Sequence, residues 1–326
     1  MKAVVCRAWG SPSSVTVEDL PSRRPAAGEV RVAVHAAGVN PVDVSLVAGR
    51  FHIPQTLPCV PGFEAAGVVV ECGDGVRHVR PYDRVAVTLV GGGFAEEVTT
   101  RSEAVVPLPD GMDFLTAAAS VVAYGTAHVA LNRRAGLRPG GTLLVHGGAG
   151  NVGSAAVEVG KRLGATVIAT ATADNRDGVI GRGAAHVIDY RTEDIVGRVL
   201  ALTSGRGADV VFDTVGGDAF DASFRCLAWE GRIVFVGVAS GRGPTAAALE
   251  LLSRNVGVIG MDFASYTLRD VAGAARSLAE TFGWHAEGGV RRNPPRTLPL
   301  DRAGEALSLV ASGKAGGKVV LLTGAE

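Results

Sequence analysis

The chain is poor in cysteine, lysine and aromatic residues. Its four cysteines, Cys6, Cys59, Cys72 and Cys226, are scattered through 326 residues with no Cys-x-x-Cys pair. That pattern argues against a disulfide scaffold or a sequence-local metal site, and the thiols read as buried or inert. Lysine occurs only at Lys2, Lys161, Lys314 and Lys318, with arginine carrying the remaining positive charge. Basic and acidic residues balance at 32 each. No electrostatic footprint for nucleic acid or an anionic membrane is present, so the expected partner is a small molecule. No apolar run reaches the about 18 residues of a membrane-spanning helix. The opening "MKAVVCRAWG" enters a β-type pattern directly, without an apolar leader. The expectation is a cytoplasmic protein with no membrane attachment.

Glycine, by contrast, is plentiful at 45 residues. The chain is also long for one core, which suggests two domains. Up to about residue 110, short runs such as "EVRVAVHAAGV", "AAGVVVECG" and "DRVAVTL" lie between Gly, Pro and Asp turns and read as mostly β. From "TAAASVVAYGTAHVALNRRAGL" onward the texture becomes helical, and strands then alternate with helices: "TLLVHG", "TVIATA", "HVIDY", "DVVFDTVG" and "RIVFVGV" are the strands. Continuous Val and Ile strands separated by helices mean parallel βαβ units, hence a doubly wound domain. We expect it to span residues 123–263. Residues 1–122 and 264–326 would form the other domain, the tail strand "GKVVLLT" returning to complete it. The segment "SYTLRDVAGAARSLAETFGWHAEGG" reads as a long helical insertion that packs amphipathically or shapes a pocket or subunit contact.

Within "LLVHGGAGNVGS" stands the G-x-G-x-x-G run Gly148, Ala149, Gly150, Asn151, Val152 and Gly153, between a strand and a helix. Such a run binds a dinucleotide: Gly148 would permit the tight turn, Gly150 the approach of backbone to a pyrophosphate, and Gly153 close helix packing. The helix N-terminus would present N–H groups to the phosphates. At the end of the next strand, where an acidic residue marks NAD specificity, Thr170, Ala171 and Thr172 stand instead, with Arg176 nearby. This favours NADPH. Asp174 is the competing candidate for the ribose, or a helix N-cap.

These motifs, with "EVRVAVHAAGVNPVD", "LPCVPGFEAAGVV", "ADVVFDTVGG" and "EGRIVFVG" in the same order, resemble the zinc-independent quinone oxidoreductase branch of the medium-chain dehydrogenase/reductase superfamily. The resemblance implies an α/β chain with a GroES-like β-rich catalytic domain and a Rossmann domain, the cofactor lying in the cleft between them. It also implies a homodimer joined near "GRIVFVGVAS", whose exposed strand edge would otherwise be a liability. Zinc-dependent relatives place a Cys and a His where this chain has Asn40 and Phe63. An amide and a phenyl ring are poor substitutes, so no metal is expected.

The resemblance further implies that Asn40 bonds the nicotinamide ribose and that Thr126 lies near the phosphates or nicotinamide. Tyr190 would flank the adenosine phosphate, with Thr214 nearby and Val236, Gly237, Val238 and Ala239 passing under the nicotinamide. Met261 and Phe263 would sit at the domain junction, and Lys318 would reach the cofactor from the tail. On the substrate side stand Asn40, Ser45, Phe51 and His52. Where relatives often carry a tyrosine, Phe51 cannot donate a proton, which leaves Ser45, His52 or solvent. These features point to an NADPH-dependent reductase of a quinone or α,β-unsaturated carbonyl. An enoyl-thioester reductase, with Arg50, Arg291 or Arg292 meeting a carrier phosphate, and a catalytically silent NADPH-binding protein are the alternatives.

Overall fold

The computed structural model describes residues 1–288 and 294–324. The chain divides into two compact units, Met1–Val122 with Ala264–Glu326, and Ala123–Phe263. Strands β1 (Lys2–Val5) and β2 (Thr16–Asp19) form a two-stranded sheet. They are followed by β3 (Glu29–Val39), helix α1 (Pro41–Val47), β4 (Glu64–Cys72), β5 (Arg84–Thr88), β6 (Glu97–Arg101), β7 (Val105–Pro107) and α2 (Phe114–Ala118). β3 alternates half-buried and buried residues along most of its length, as expected of an antiparallel strand with one face on a core. That core gathers Val32, Val34, Leu46, Phe63, Val69, Val85, Phe94 and Leu307. The helical pattern expected from residue 116 breaks at Ala119 and Ser120, then resumes as α3 (Val121–His128).

The second unit holds β8 (Thr142–Val145), α4 (Asn151–Arg162), β9 (Thr166–Ala171), α5 (Arg176–Gly181), β10 (His186–Asp189) and α6 (Ile195–Leu202). It continues through β11 (Ala208–Asp213), α7 (Gly217–Arg225), β12 (Leu227–Phe235), α8 (Ala248–Arg254) and β13 (Gly257–Gly260). Its six strands run in the order β10-β9-β8-β11-β12-β13, all parallel. β8 is buried along its whole length because helices cover both faces of such a sheet. The strand order reverses between β8 and β11, so the ligand crevice of this architecture lies at their C-terminal ends. One expectation is corrected: the strand within "GRIVFVGVAS" is interior, and the edge is β13, which among the described residues pairs with β12 alone. The short, glycine-flanked "GVIG" carries too little pattern to be read as a strand from sequence.

The chain returns through α9 (Phe263–Arg269) and α10 (Val271–Ala286) to β14 (Arg296–Pro299), α11 (Ala303–Ala311) and β15 (Val319–Leu322). The expected single long helix is two, because Asp270 caps α10 by accepting from the Gly273 N–H at 3.0 Å. β15 pairs antiparallel with β3 and completes the seven-stranded sheet. No helix of the described residues is long and apolar enough to cross a membrane.

Candidate functional sites

In the parallel-sheet unit, β8 ends at Val145 and the chain turns through glycine into α4. The turn runs from Gly147 to Gly150, closed by the Gly150 N–H donating to the Gly147 carbonyl at 2.9 Å, with Gly148 inside it, and the positive φ of +69° falls on Gly147. Gly148 also makes room for the sheet: an added Cβ would lie 2.8 Å from the Ala169 Cβ. At Gly153 it would lie 2.1 Å from the Gly147 carbonyl oxygen, so helix and turn can approach this closely only without a side chain. No side chain caps α4 at Gly150. Its first-turn N–H groups therefore lack a capping acceptor, and with the helix dipole they form a cradle suited to a pyrophosphate. The residues present fit a dinucleotide.

Two groups missed in the sequence hold this turn. The His146 ring, fully buried, lies 2.8 Å from Ser223 Oγ and 3.4 Å from Thr170 Oγ1. The Gly147 N–H donates to Thr170 Oγ1 at 3.2 Å. Burial pushes the His146 pKa below its ordinary 6.5, against the opposing pull of the Asp213 carboxylate, which leaves the ring neutral near pH 7. Thr214 Oγ1 donates to the His146 carbonyl at 3.0 Å. The Val236 N–H donates to the Asp213 carbonyl and the Ala239 N–H to the Thr214 carbonyl, at 2.9 and 3.1 Å. The loops after β8, β11 and β12 are thus tied together at the C-terminal ends of adjoining strands. They bring Thr214, Val236, Gly237, Val238 and Ala239 to one end of the sheet.

Elsewhere in this unit Thr126 is buried, as are Met261 and Phe263. The Phe263 ring lies over Gly125, where an added Cβ would be 2.2 Å from Phe263 Cζ. Glu158, on α4, is a buried carboxylate that accepts from Tyr124 Oη and, at 2.5 Å, from Arg182. Its only sequence signal was an acidic residue within the apolar run "AAVEVG". Thr172 Oγ1 accepts from Asn175 Nδ2 at 2.9 Å. Asp174 is exposed in a single 3-10 turn, and the residue that precedes α5 is Asn175, which corrects the N-cap reading of Asp174. Tyr190 is half exposed, and Arg176 pairs with Glu193 at 3.3 Å.

The β-rich unit contains a buried polar cluster. Asn40 follows β3 directly, and Pro41 opens α1, where its missing N–H costs nothing. β15 pairs Val319 with Val39 and β4 pairs Ala65 with Ala37. Those registers carry Lys318 and Glu64 to the same end of β3. The Lys318 ammonium donates to Val39 O at 2.9 Å, to Asn40 Oδ1 at 2.7 Å and to Glu64 Oε1. Asn40 Nδ2 donates to Glu64 Oε1 at 2.7 Å and to Gly38 O at 3.3 Å. Glu64 Oε2 accepts from the Val122 N–H at 2.7 Å. Gly38 makes the space, since a Cβ there would fall 2.3 Å from Glu64 Oε1.

The sequence set Lys318 toward the cofactor, and in the structure its ammonium meets Val39 O, Asn40 Oδ1 and Glu64 Oε1. An ammonium has three hydrogens, and these three bonds use them. Asn40 has likewise spent both amide hydrogens and retains acceptor capacity at Oδ1, so toward a ribose hydroxyl it can only accept. Beside the cluster, Asp43 is fully buried and accepts from the Asn40 N–H at 2.8 Å and the Gly62 N–H at 2.9 Å. Burial pushes its pKa up from 3.8 to about 7, opposed by the Asn40 N–H, Lys318 and the Gly62 N–H and reinforced by Glu64.

The donor set does not suit zinc. Asn40 and Phe63 stand where the resemblance places metal ligands, the Glu64 oxygens already meet an ammonium and two N–H groups, and Phe63 is buried in the core. Phe63 meets Phe51 edge to face at 5.1 Å, and Phe51 meets the ring of His52, an exposed residue, at 4.9 Å. Ser45 Oγ donates to Pro41 O at 3.2 Å, so its hydrogen is committed within α1. Arg50 is exposed, while Arg291 and Arg292 lie outside the described residues.

Comparison with known proteins places these features in context. Residues 26–110 match the alcohol dehydrogenase GroES-like domain, and residues 182–321 match the model described as zinc-binding dehydrogenase. The chain is 36% identical to the quinone oxidoreductase-like protein 2 homolog of Nematostella vectensis, over 99% of this chain and 89% of that one. It superposes on quinone oxidoreductase of Escherichia coli complexed with NADPH at a TM-score of 0.89 and 28% identity, covering 99% and 100% of the two chains. The CurK enoyl reductase structure gives a TM-score of 0.88 at 26% identity, with 98% of each chain covered.

Proposed function

The chain belongs to the quinone oxidoreductase branch of the medium-chain dehydrogenase/reductase superfamily, and from that premise we propose that it is an NADPH-dependent, metal-independent reductase of a quinone or an α,β-unsaturated carbonyl. The observation that carries this reading is the cradle at Gly147, Gly148 and Gly153, where side chains are excluded by contacts of 2.1–2.9 Å. Bound NADPH would supply the hydride. The residues of the chain bind and orient. The α4 N-terminus holds the pyrophosphate, Tyr190 and Arg176 flank the adenosine ribose and its 2′-phosphate, and Thr214 with residues 236–239 lies along the nicotinamide half.

In the β-rich unit, Asn40 accepts from a ribose hydroxyl while Lys318 and Glu64 hold its amide in one orientation. Phe51, seated on Phe63, offers an apolar wall to a conjugated acceptor. Ser45 is a poor proton donor because its hydroxyl already donates to Pro41 O. The product's proton then comes from solvent or from exposed His52, which suits an acceptor such as a quinone that needs no dedicated acid. The edge of β13, unpaired among the described residues, with Leu249 and Leu252 of α8 exposed at 74% and 71%, supports a homodimer formed by edge-to-edge pairing. The reading also implies a cytoplasmic protein.

A second reading, an enoyl-thioester reductase, draws on the similarity to the CurK enoyl reductase structure. The deciding experiment follows nicotinamide oxidation by EDTA-treated protein, with a 1,4-quinone, an enone and a crotonyl thioester offered in parallel. NADPH-dependent turnover of the quinone or enone is expected, and preference for the thioester would favour the second reading. Tight NADPH binding with no turnover on any of the three would make the protein a silent nucleotide binder.

A further inference from the structure

The end of β9 lacks the acidic residue of NAD-specific sites, yet a carboxylate reaches that corner from the next strand. β10 pairs parallel with β9, Asp189 beside Ala171, so the chain after Asp189 runs alongside residues 172–176. Glu193 sits in this loop and is held by backbone at both ends. Its N–H donates to the Asp189 carbonyl at 2.8 Å, and its Oε1 accepts from the Asp189 N–H at 2.8 Å. From that fixed position Oε1 also meets Arg176 Nη2 at 3.3 Å, and Oε2 meets Arg198 Nε at 2.9 Å.

We propose that Glu193 is a specificity-determining residue for the nucleotide, one that shares Arg176 with an incoming 2′-phosphate and so moderates the preference for NADPH over NADH. This rests on the reading that Arg176 meets the 2′-phosphate. Two guanidiniums and one carboxylate leave a net single positive charge, so the phosphate is accepted, but against a fixed anion. Arg176 retains 42% of its side-chain exposure and Arg198 49%, which leaves both open to an added anion. Arg198 offsets the Glu193 charge from the far side. An NADH ribose carries no phosphate and has no stake in the competition.

The test measures dissociation constants by calorimetry for NADPH and NADH, and for the fragments adenosine 2′,5′-bisphosphate and AMP. Removing a partly exposed charge of this kind is worth up to about fivefold in an equilibrium constant. Glu193→Gln is expected to raise the NADPH-over-NADH ratio by about that factor, and the bisphosphate-over-AMP ratio with it. Arg198→Gln is expected to lower both ratios. A ratio unchanged in Glu193→Gln, or a lower one, would overturn the proposal, the latter by showing that the carboxylate serves to position Arg176. Wild-type protein that binds both nucleotides, with the ratio lowered by Arg176→Gln but unaltered by Glu193→Gln, defeats this inference alone, whereas a ratio unaltered by Arg176→Gln defeats the Arg176 reading on which it rests. Wild-type protein that binds neither defeats the nucleotide reading beneath it.

Discussion

Lys318 and Asn40 face one another at the end of the β15–β3 pair, the ammonium 2.7 Å from the amide oxygen. The same ammonium meets Glu64, so a fixed internal cation stands beside Asn40, one of the two positions the resemblance assigns to zinc ligands. It neutralises the buried carboxylate and settles which end of the Asn40 amide remains available.

Lys318→Met should destabilise the protein by about 3–5 kcal/mol, because the Glu64 carboxylate would remain buried without its counter-charge. Adding Glu64→Gln should recover most of that loss, since a neutral amide needs no cation. Urea unfolding of the two variants checks this, and equal midpoints would contradict it.

Alanine scanning of glycines should separate the cradle from an ordinary helix. Gly153→Ala drives a Cβ to within 2.1 Å of the Gly147 carbonyl oxygen and should lose about 3 kcal/mol together with nucleotide binding. Gly178→Ala, in α5 with no neighbouring atom within 4 Å of the added Cβ, should instead stabilise by about 0.5–1 kcal/mol. Thermal unfolding and nucleotide titration of both variants give the comparison.

Asp43 titrates at about 7 in the folded protein against an ordinary 3.8. Between those values the folded state holds the extra proton. Its contribution to stability is therefore fully present below the lower value, falls as pH rises through the window, and levels off above the upper one. Calorimetric scans from about pH 4 to about pH 8 should show this downward slope in wild type and a flatter profile in Asp43→Asn. Parallel profiles would remove Asp43 as the cause.

Tyr82 is 88% exposed with φ at +76°, a left-handed conformation that a residue with a Cβ adopts at a penalty of about 1–2 kcal/mol. Tyr82→Gly should raise stability by about 0.5–1 kcal/mol after glycine's entropic cost is subtracted. A lower unfolding midpoint would show that the Tyr82 ring makes a stabilising contact.

Much of this molecule was legible along the chain. Strands such as "TLLV" and "TVIATA" are continuously apolar because both their faces are covered, and the glycines after β8 recur at a spacing that a dinucleotide turn demands. Even there the motif was incomplete: Gly147, outside the G-x-G-x-x-G run, takes the positive φ, and Gly148 gives its space to Ala169 as well as to the turn. The short β13 carried too few residues to announce itself, and the break at Asp270 was hidden inside a helical pattern.

Sequence alone determined the two textures of the chain, the alternation that builds a parallel sheet and the dinucleotide turn, because these depend on residues near one another along the backbone. The tertiary structure decided everything that rests on register. Lys318, Asn40 and Glu64 converge because β15 and β4 pair with β3 at particular offsets, and Glu193 reaches Arg176 because β10 lies beside β9. Moving any of these strands by one residue would turn the same side chains to the opposite face of the sheet, and no local pattern encodes that choice.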